Sequence, residues 1–136
     1  LKEDAIMIDQ NLGQSLQTIA LVAMSDITAG ADGTGVDLQD FVGEAAFFIA
    51  AKNVAGTNPT LDVKLQDSAD NSSFADVTGL AFTQVTAANT KAAVFHRLNV
   101  NVDGLRRYVR AVTAIGGTSS PQFLVACYGL GVKQER

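Results

Sequence analysis

Between residues 60 and 66 apolar and polar side chains alternate strictly, with Leu61, Val63 and Leu65 set against Asp62, Lys64 and Gln66. A period of two puts one set on the covered face of a strand and the other in water; it does not fit the 3.6-residue period of a helix. A second run repeats the pattern, with Val94, His96, Leu98, Val100 and Val102 on one side and Phe95, Arg97, Asn99 and Asn101 on the other. These two runs predict sheets with one face on a core, and the rest of the chain is read against them.

Residues 18–24 read as a buried strand, although Leu12, Leu16, Ile19 and Ala20 recur at partly helical spacing. The glycines and aspartates of residues 25–35 predict a loop, residues 36–38 a short strand and residues 42–51 a longer apolar one. Gly56, Asn58 and Pro59 mark residues 53–59 as a turn, and the short polar side chains of residues 67–73 mark another. Short strands are expected at residues 74–77 and 82–85, and Asp103-Gly104 reads as a hairpin turn. After it come a strand over residues 106–113, a loop from Gly116 to Pro121, and a last strand over residues 123–132. About eight or nine strands between turn signals predict an all-β, single-domain antiparallel β-sandwich of jelly-roll or Greek-key type. The sandwich is expected over residues 16–132, after an extended N-terminal arm (1–15) and before a solvated tail (133–136).

A chain of 136 residues can bury a core without staples. With Cys127 as the single cysteine, no internal disulfide and no cysteine-based zinc site can form. Its place in the apolar last strand predicts an inert, buried thiol. The longest apolar runs fall far short of the roughly 20 residues that cross a bilayer, so no membrane partner is expected. The opening stretch has neither a basic n-region nor an apolar h-region, so it does not read as a signal peptide. Net charge is −4, and residues 1–50 hold Lys2 as their single base against eight acids. Such a balance disfavours nucleic acid, and its uneven distribution favours contacts between copies or with another protein.

Candidate chemistry is sparse. His96 is the sole histidine, so any Ser/His/Asp or Cys/His mechanism hangs on it, yet its phase puts it among Val94 and Leu98, where a structural histidine is the commoner outcome. Asp32, Asp37 and Asp40 surround glycine-rich turns but lack the glycine placement and terminal Glu of a calcium loop, which leaves an ordinary surface loop. Asp67, Asp70 and Asp76 flank a turn whose backbone such side chains cap. Asn71-Ser72-Ser73 fits a glycosylation pattern and marks a surface turn. Gly33 and Gly35, like Gly129 and Gly131, lack the context of a phosphate loop and read as loop or bulge glycines. The expectation is a non-enzymatic protein with no catalytic residue, cofactor or metal. A sandwich hydrolase would need paired carboxylates in a cleft, and the pattern buries none.

Residues 36–41 (VDLQDF), 63–77 (VKLQDSADNSSFADV) and 106–112 (RRYVRAV) occur here in the order seen in a group of small proteins encoded among the head genes of tailed bacteriophages, which the chain resembles from Val36 onward. Ala69 stands where that group commonly has an acid, and residues 1–35 lie outside the resemblance. The resemblance implies a capsid cement or decoration protein with a jelly-roll-like sandwich, bound in many copies to the major capsid protein on the exterior of a phage head, and a homo-oligomer, dimer or trimer. The candidate contacts are Lys2, Glu3 and Asp4 in the arm and Arg97, Arg106, Arg107 and Arg110, since Arg is enriched at interfaces. Arg106 and Arg110 are expected on one face, with Arg97 across the hairpin from them. The alternative is a glycan- or receptor-binding sandwich, which exposed aromatics would serve; the chain has no Trp and two tyrosines, Tyr108 and Tyr128.

Overall fold

The computed structural model describes residues 16–86 and 93–134. The expected arm, with Lys2, Glu3 and Asp4, lies outside the described residues. Eight strands follow in order: β1 (Leu16–Ile27), β2 (Ala31–Asp32), β3 (Val36–Asp37), β4 (Phe41–Ser68), β5 (Ala75–Ala81), β6 (Val85–Thr86), β7 (Val94–Asn101) and β8 (Tyr108–Lys133). All pairings are antiparallel.

Two strands dominate. β4 runs for 28 residues and β8 for 26, and they pair along their whole length, from Phe41 with Lys133 to Ser68 with Tyr108. The pair is bent in the middle. On one side of the bend, residues 41–53 and 123–133 are flanked by β1 on β8 and by β7 on β4. On the other, residues 60–68 and 108–116 are flanked by β2 and β3 on β8 and by β5 and β6 on β4. Each half is therefore a four-stranded row with β4 and β8 at its centre, and the chain visits the two rows in the order of a jelly roll.

The two rows close over one core. Odd-numbered residues of both long strands point inward on both sides of the bend: Phe47 and Ile49, then Leu61, Val63 and Leu65 on β4; Val109 and Ala111, then Phe123, Val125 and Cys127 on β8, all nearly or fully buried. Burying each of the larger side chains stabilises the fold by roughly 1.5–3 kcal/mol. Gly129 lies inward too, where a Cβ would come within 2.8 Å of the Phe47 ring, so it leaves space for a core aromatic and is no loop glycine.

The segments expected to be separating turns, 53–59 and 116–121, are instead the corner of the bent pair. Pairing resumes in register because six residues intervene on each strand, between Asn53 and Thr60 and between Gly116 and Phe123. Both prolines of the chain sit there, each against a glycine of the opposite strand: a Cβ on Gly56 would lie 2.6 Å from Cα of Pro121, and one on Gly117 would lie 2.9 Å from Cα of Pro59. These glycines have φ of +109° and +116°, and Asn58, Ser119 and Ser120 are left-handed as well. The buried Asn53 amide ties the strands where the ladder is interrupted, donating from Nδ2 to the carbonyls of Ala55 (2.8 Å) and Gln122 (3.1 Å).

Two further expectations are corrected. Asp103-Gly104 is no hairpin turn: Val102–Gly104 forms a 3₁₀ turn that carries the chain from β7 in one row to β8 in the other, anchored by buried Val102 and capped by the Asn101 side chain. Residues 31–32, read as loop, form β2 because Thr113 Oγ1 exchanges hydrogen bonds with the Ala31 backbone. At the tail, Lys133 belongs to β8 and the Gln134 N–H donates to the Asp40 carbonyl at 2.7 Å.

The corner carries a prediction. Gly117→Ala forces a Cβ against the opposite backbone at a φ that L-residues avoid, and should cost about 1–3 kcal/mol. Urea unfolding should show that loss as a lower midpoint, while Gly79→Ala, with open space around its Cβ, should lose less.

Candidate interaction surface

The sandwich has two outer faces, and they differ in kind. Over residues 60–68 and 108–116 the outward Asp62, Lys64, Gln66 and Arg110 are polar and bonded to polar neighbours, beside the small apolar Val112 and Ala114 of β8. Lys64 Nζ and Gln66 Nε2 both bond the Asp76 carboxylate, at 2.9 and 2.7 Å, which together hold it below its ordinary pKa, the Gln66 bond contributing most. Arg110 donates from Nε to Gln66 Oε1 at 2.9 Å, approaches Asp32 at 3.4 Å, and lies 4.3 Å from the centre of the Phe74 ring. Arg107 grips Asp37 with two bonds, at 3.1 and 2.9 Å, which raises the guanidinium pKa further. Arg106 binds Asp67 through its own N–H (3.0 Å), Nε (2.9 Å) and Nη2, which also reaches the Asp67 carbonyl at 2.7 Å.

These contacts relocate the candidate residues. Three of the four candidate arginines, Arg106, Arg107 and Arg110, are held by acids of their own chain, and two of those acids, Asp32 and Asp37, come from the acidic first third. The lopsided charge along the sequence is thus partly folded onto itself, through Asp32 and Asp37. Arg97 stands apart: β7 pairs with β4, placing Arg97 beside Phe48 in the other row, so it does not lie across a hairpin from Arg106 and Arg110. His96 is half-buried in phase with Val94 and Leu98. Burial pushes the Cys127 thiol up to about 12, which keeps it protonated and unreactive at neutral pH. Asp70 caps its turn by accepting the N–H groups of Ser73 and Ser72 and the Ser68 hydroxyl, and these bonds bring its pKa down to about 2.

The outer face over residues 41–53 and 123–133 is apolar. Register places Ala46 beside Leu130, Phe48 beside Tyr128, Ala50 beside Ala126 and Lys52 beside Leu124, with Phe95 and Arg97 on the adjoining β7. The Phe48 and Tyr128 rings stack, centroids 5.3 Å apart, and Phe95 is 71% exposed. Glu44, Lys52 and Arg97 carry the charges of this surface, and among the described residues none of them forms an ion pair. Near one end lies an open depression of about 430 Å³ lined by Leu16, Glu44, Ala45, Ala46, Asn99 and Leu130. Grouped, partly exposed aromatic and aliphatic side chains of this kind mark a place where a protein meets something else. No sequence argument singled out Phe48 or Leu130, and Tyr128 and Phe95 entered only as a tyrosine weighed for a glycan and as one of an outward set. A signal existed: residues 42–51 and 123–132 are apolar at nearly every position, the pattern of strands covered on both faces.

The sequence matches no protein-family model and no curated protein. Solved structures do match the fold. VP2 of infectious bursal disease virus, in its subviral particle, aligns over 87% of this chain and 32% of its own at 7% identity and a TM-score of 0.57. The PBSX exported protein XepA aligns over 89% of this chain and 38% of its own, at 12% identity and a TM-score of 0.50. The SPBc2 prophage-derived protein YomS aligns over 87% of this chain and 95% of its own at 12% identity, with a TM-score of 0.45. What VP2 and XepA share with this chain is the sandwich. The chain spans about a third of VP2 and of XepA.

Two predictions follow from the polar face. Asp70 has its pKa lowered on folding, so its contribution is complete above the ordinary value of 3.8 and is lost as pH falls toward about 2. Thermal unfolding across that range should be steeper in pH for the native chain than for Asp70→Ala. Asp67→Ala strips the Arg106 N–H and guanidinium of their acceptor and should cost about 2 kcal/mol in chemical denaturation.

Proposed function

We propose that this chain is a non-catalytic structural protein of a virion, set on the outside of a phage head, where it binds the major capsid protein and stabilises the lattice. One observation carries the reading: a rigid jelly roll with a polar face closed on itself and an opposite face of exposed, mostly apolar side chains is built to contact neighbours. The jelly-roll likeness to VP2 and the resemblance of residues 36–112 to phage head proteins support it. A cement protein needs a stiff core to transmit load between subunits and a surface that adds contacts, and a β4–β8 pair running through both rows supplies the first. No cofactor and no nucleic acid enter this role.

The stacked Phe48 and Tyr128 rings favour a second reading, in which the apolar face takes a glycan against its aromatic surface. Co-sedimentation with heads assembled without this protein separates the two. Saturable binding at a copy number compatible with icosahedral symmetry, with heads that then survive heating or low salt, is the expected result. Absence of binding, with glycan-array signal abolished by Tyr128→Ala, would transfer the assignment to the glycan.

A further inference from the structure

We propose that two copies of this chain pair face to face through the apolar outer face, about a two-fold axis that crosses β4 at Phe48. The inference concerns the chain in solution and uses the same apolar face that the proposed function presents to its neighbours, with a second copy as the neighbour. Its basis is a self-complementarity already present in the register.

A two-fold axis lying between the sheets and perpendicular to β4 sets each residue opposite the one equally far on the other side of Phe48. Glu44 and Lys52 are both outward and both exposed, each four residues from Phe48, or about 14 Å along the strand. Pairing therefore brings Glu44 of one copy over Lys52 of the other, twice, across sheets about 10 Å apart, a gap these side chains span. On β7 the same operation acts about Arg97, which pairs with Phe48. Phe95, beside Ala50, then comes over Asn99, beside Ala46, and both Ala46 and Asn99 line the depression of about 430 Å³. The most exposed large hydrophobic residue of the described chain thus faces the hollow of its partner. The Phe48 and Tyr128 stacks meet at the centre.

Turning one copy the other way, with the axis along the strands, sets Lys52 over Leu124 and Glu44 over the Val132 end of β8, and leaves both charges covered without partners. Arg97 meets its own image in the proposed arrangement, but β7 is an edge strand and a long side chain there reaches solvent. Four strands of about nine residues present roughly 550 Å² per copy, so the pair covers about 1,100 Å², enough for a specific interface.

Sedimentation equilibrium of the full chain tests the proposal. The native protein should sediment at twice the chain mass, and Phe95→Asp at the chain mass. Glu44→Lys and Lys52→Glu should each raise the dimer Kd at least tenfold, since each sets like charges opposite one another, and the double variant should recover the native value. A native monomer or trimer overturns the proposal, as does a double variant as weak as the singles; circular dichroism confirms that each variant is folded. Heads play no part in this measurement, so failure here and failure to bind heads are separate results.

Discussion

The end-to-end pairing of β4 with β8, resumed in register after the corner, is the contact on which the rest of this structure depends. These strands are the central pair of both rows, so every other strand reaches the sandwich by adding to one of them. Their inward residues keep one phase through the corner, and that phase lets a single core form from two rows. Had the six-residue detours differed in length by one, the alternation on one side would have turned its apolar set toward water. The reciprocal seating of Pro121 on Gly56 and Pro59 on Gly117 lets the two backbones cross closely at the bend without losing count.

Much of this was legible in the residues. The strict alternation at 60–66 and 94–102 located two strand segments and their inward sides, and Asp70 caps its turn as read, whereas Asp67 binds Arg106 and Asp76 binds Lys64 and Gln66 rather than the turn backbone. The corner was not legible, because Gly, Pro, Asn and Ser signal a change of direction without saying whether the strands on either side stay paired. The Asp103-Gly104 error has the same root: turn chemistry fixes local geometry, and only the long-range partner decides whether a turn joins neighbours or layers.

The surface was less legible than the core. Arg106, Arg107 and Arg110 stood out as charges awaiting a partner, and the partners proved to be Asp67, Asp37 and Asp32 of the same chain, 39, 70 and 78 positions away. Sequence separation hides such pairs. The exposed pairs of Arg107 and Arg110 are each worth little, about 0–1 kcal/mol, and matter chiefly for what they withhold from other molecules, whereas buried Asp67 also holds the fold through Arg106. The apolar outer face carries the converse lesson, since its residues look like core until register shows which of them have nothing above them.

The central place of β8 also governs how this molecule comes into being. Neither row has its middle until residues 108–133 are available, although β1 to β7 precede them. During synthesis the earlier strands emerge with their best partner still missing, and their apolar stretches stay open to other chains. Folding is therefore a late, single event closed by long-range pairing, slow for the chain's length and sensitive to crowding by its own copies. High local concentration and correct folding are for this protein competing demands.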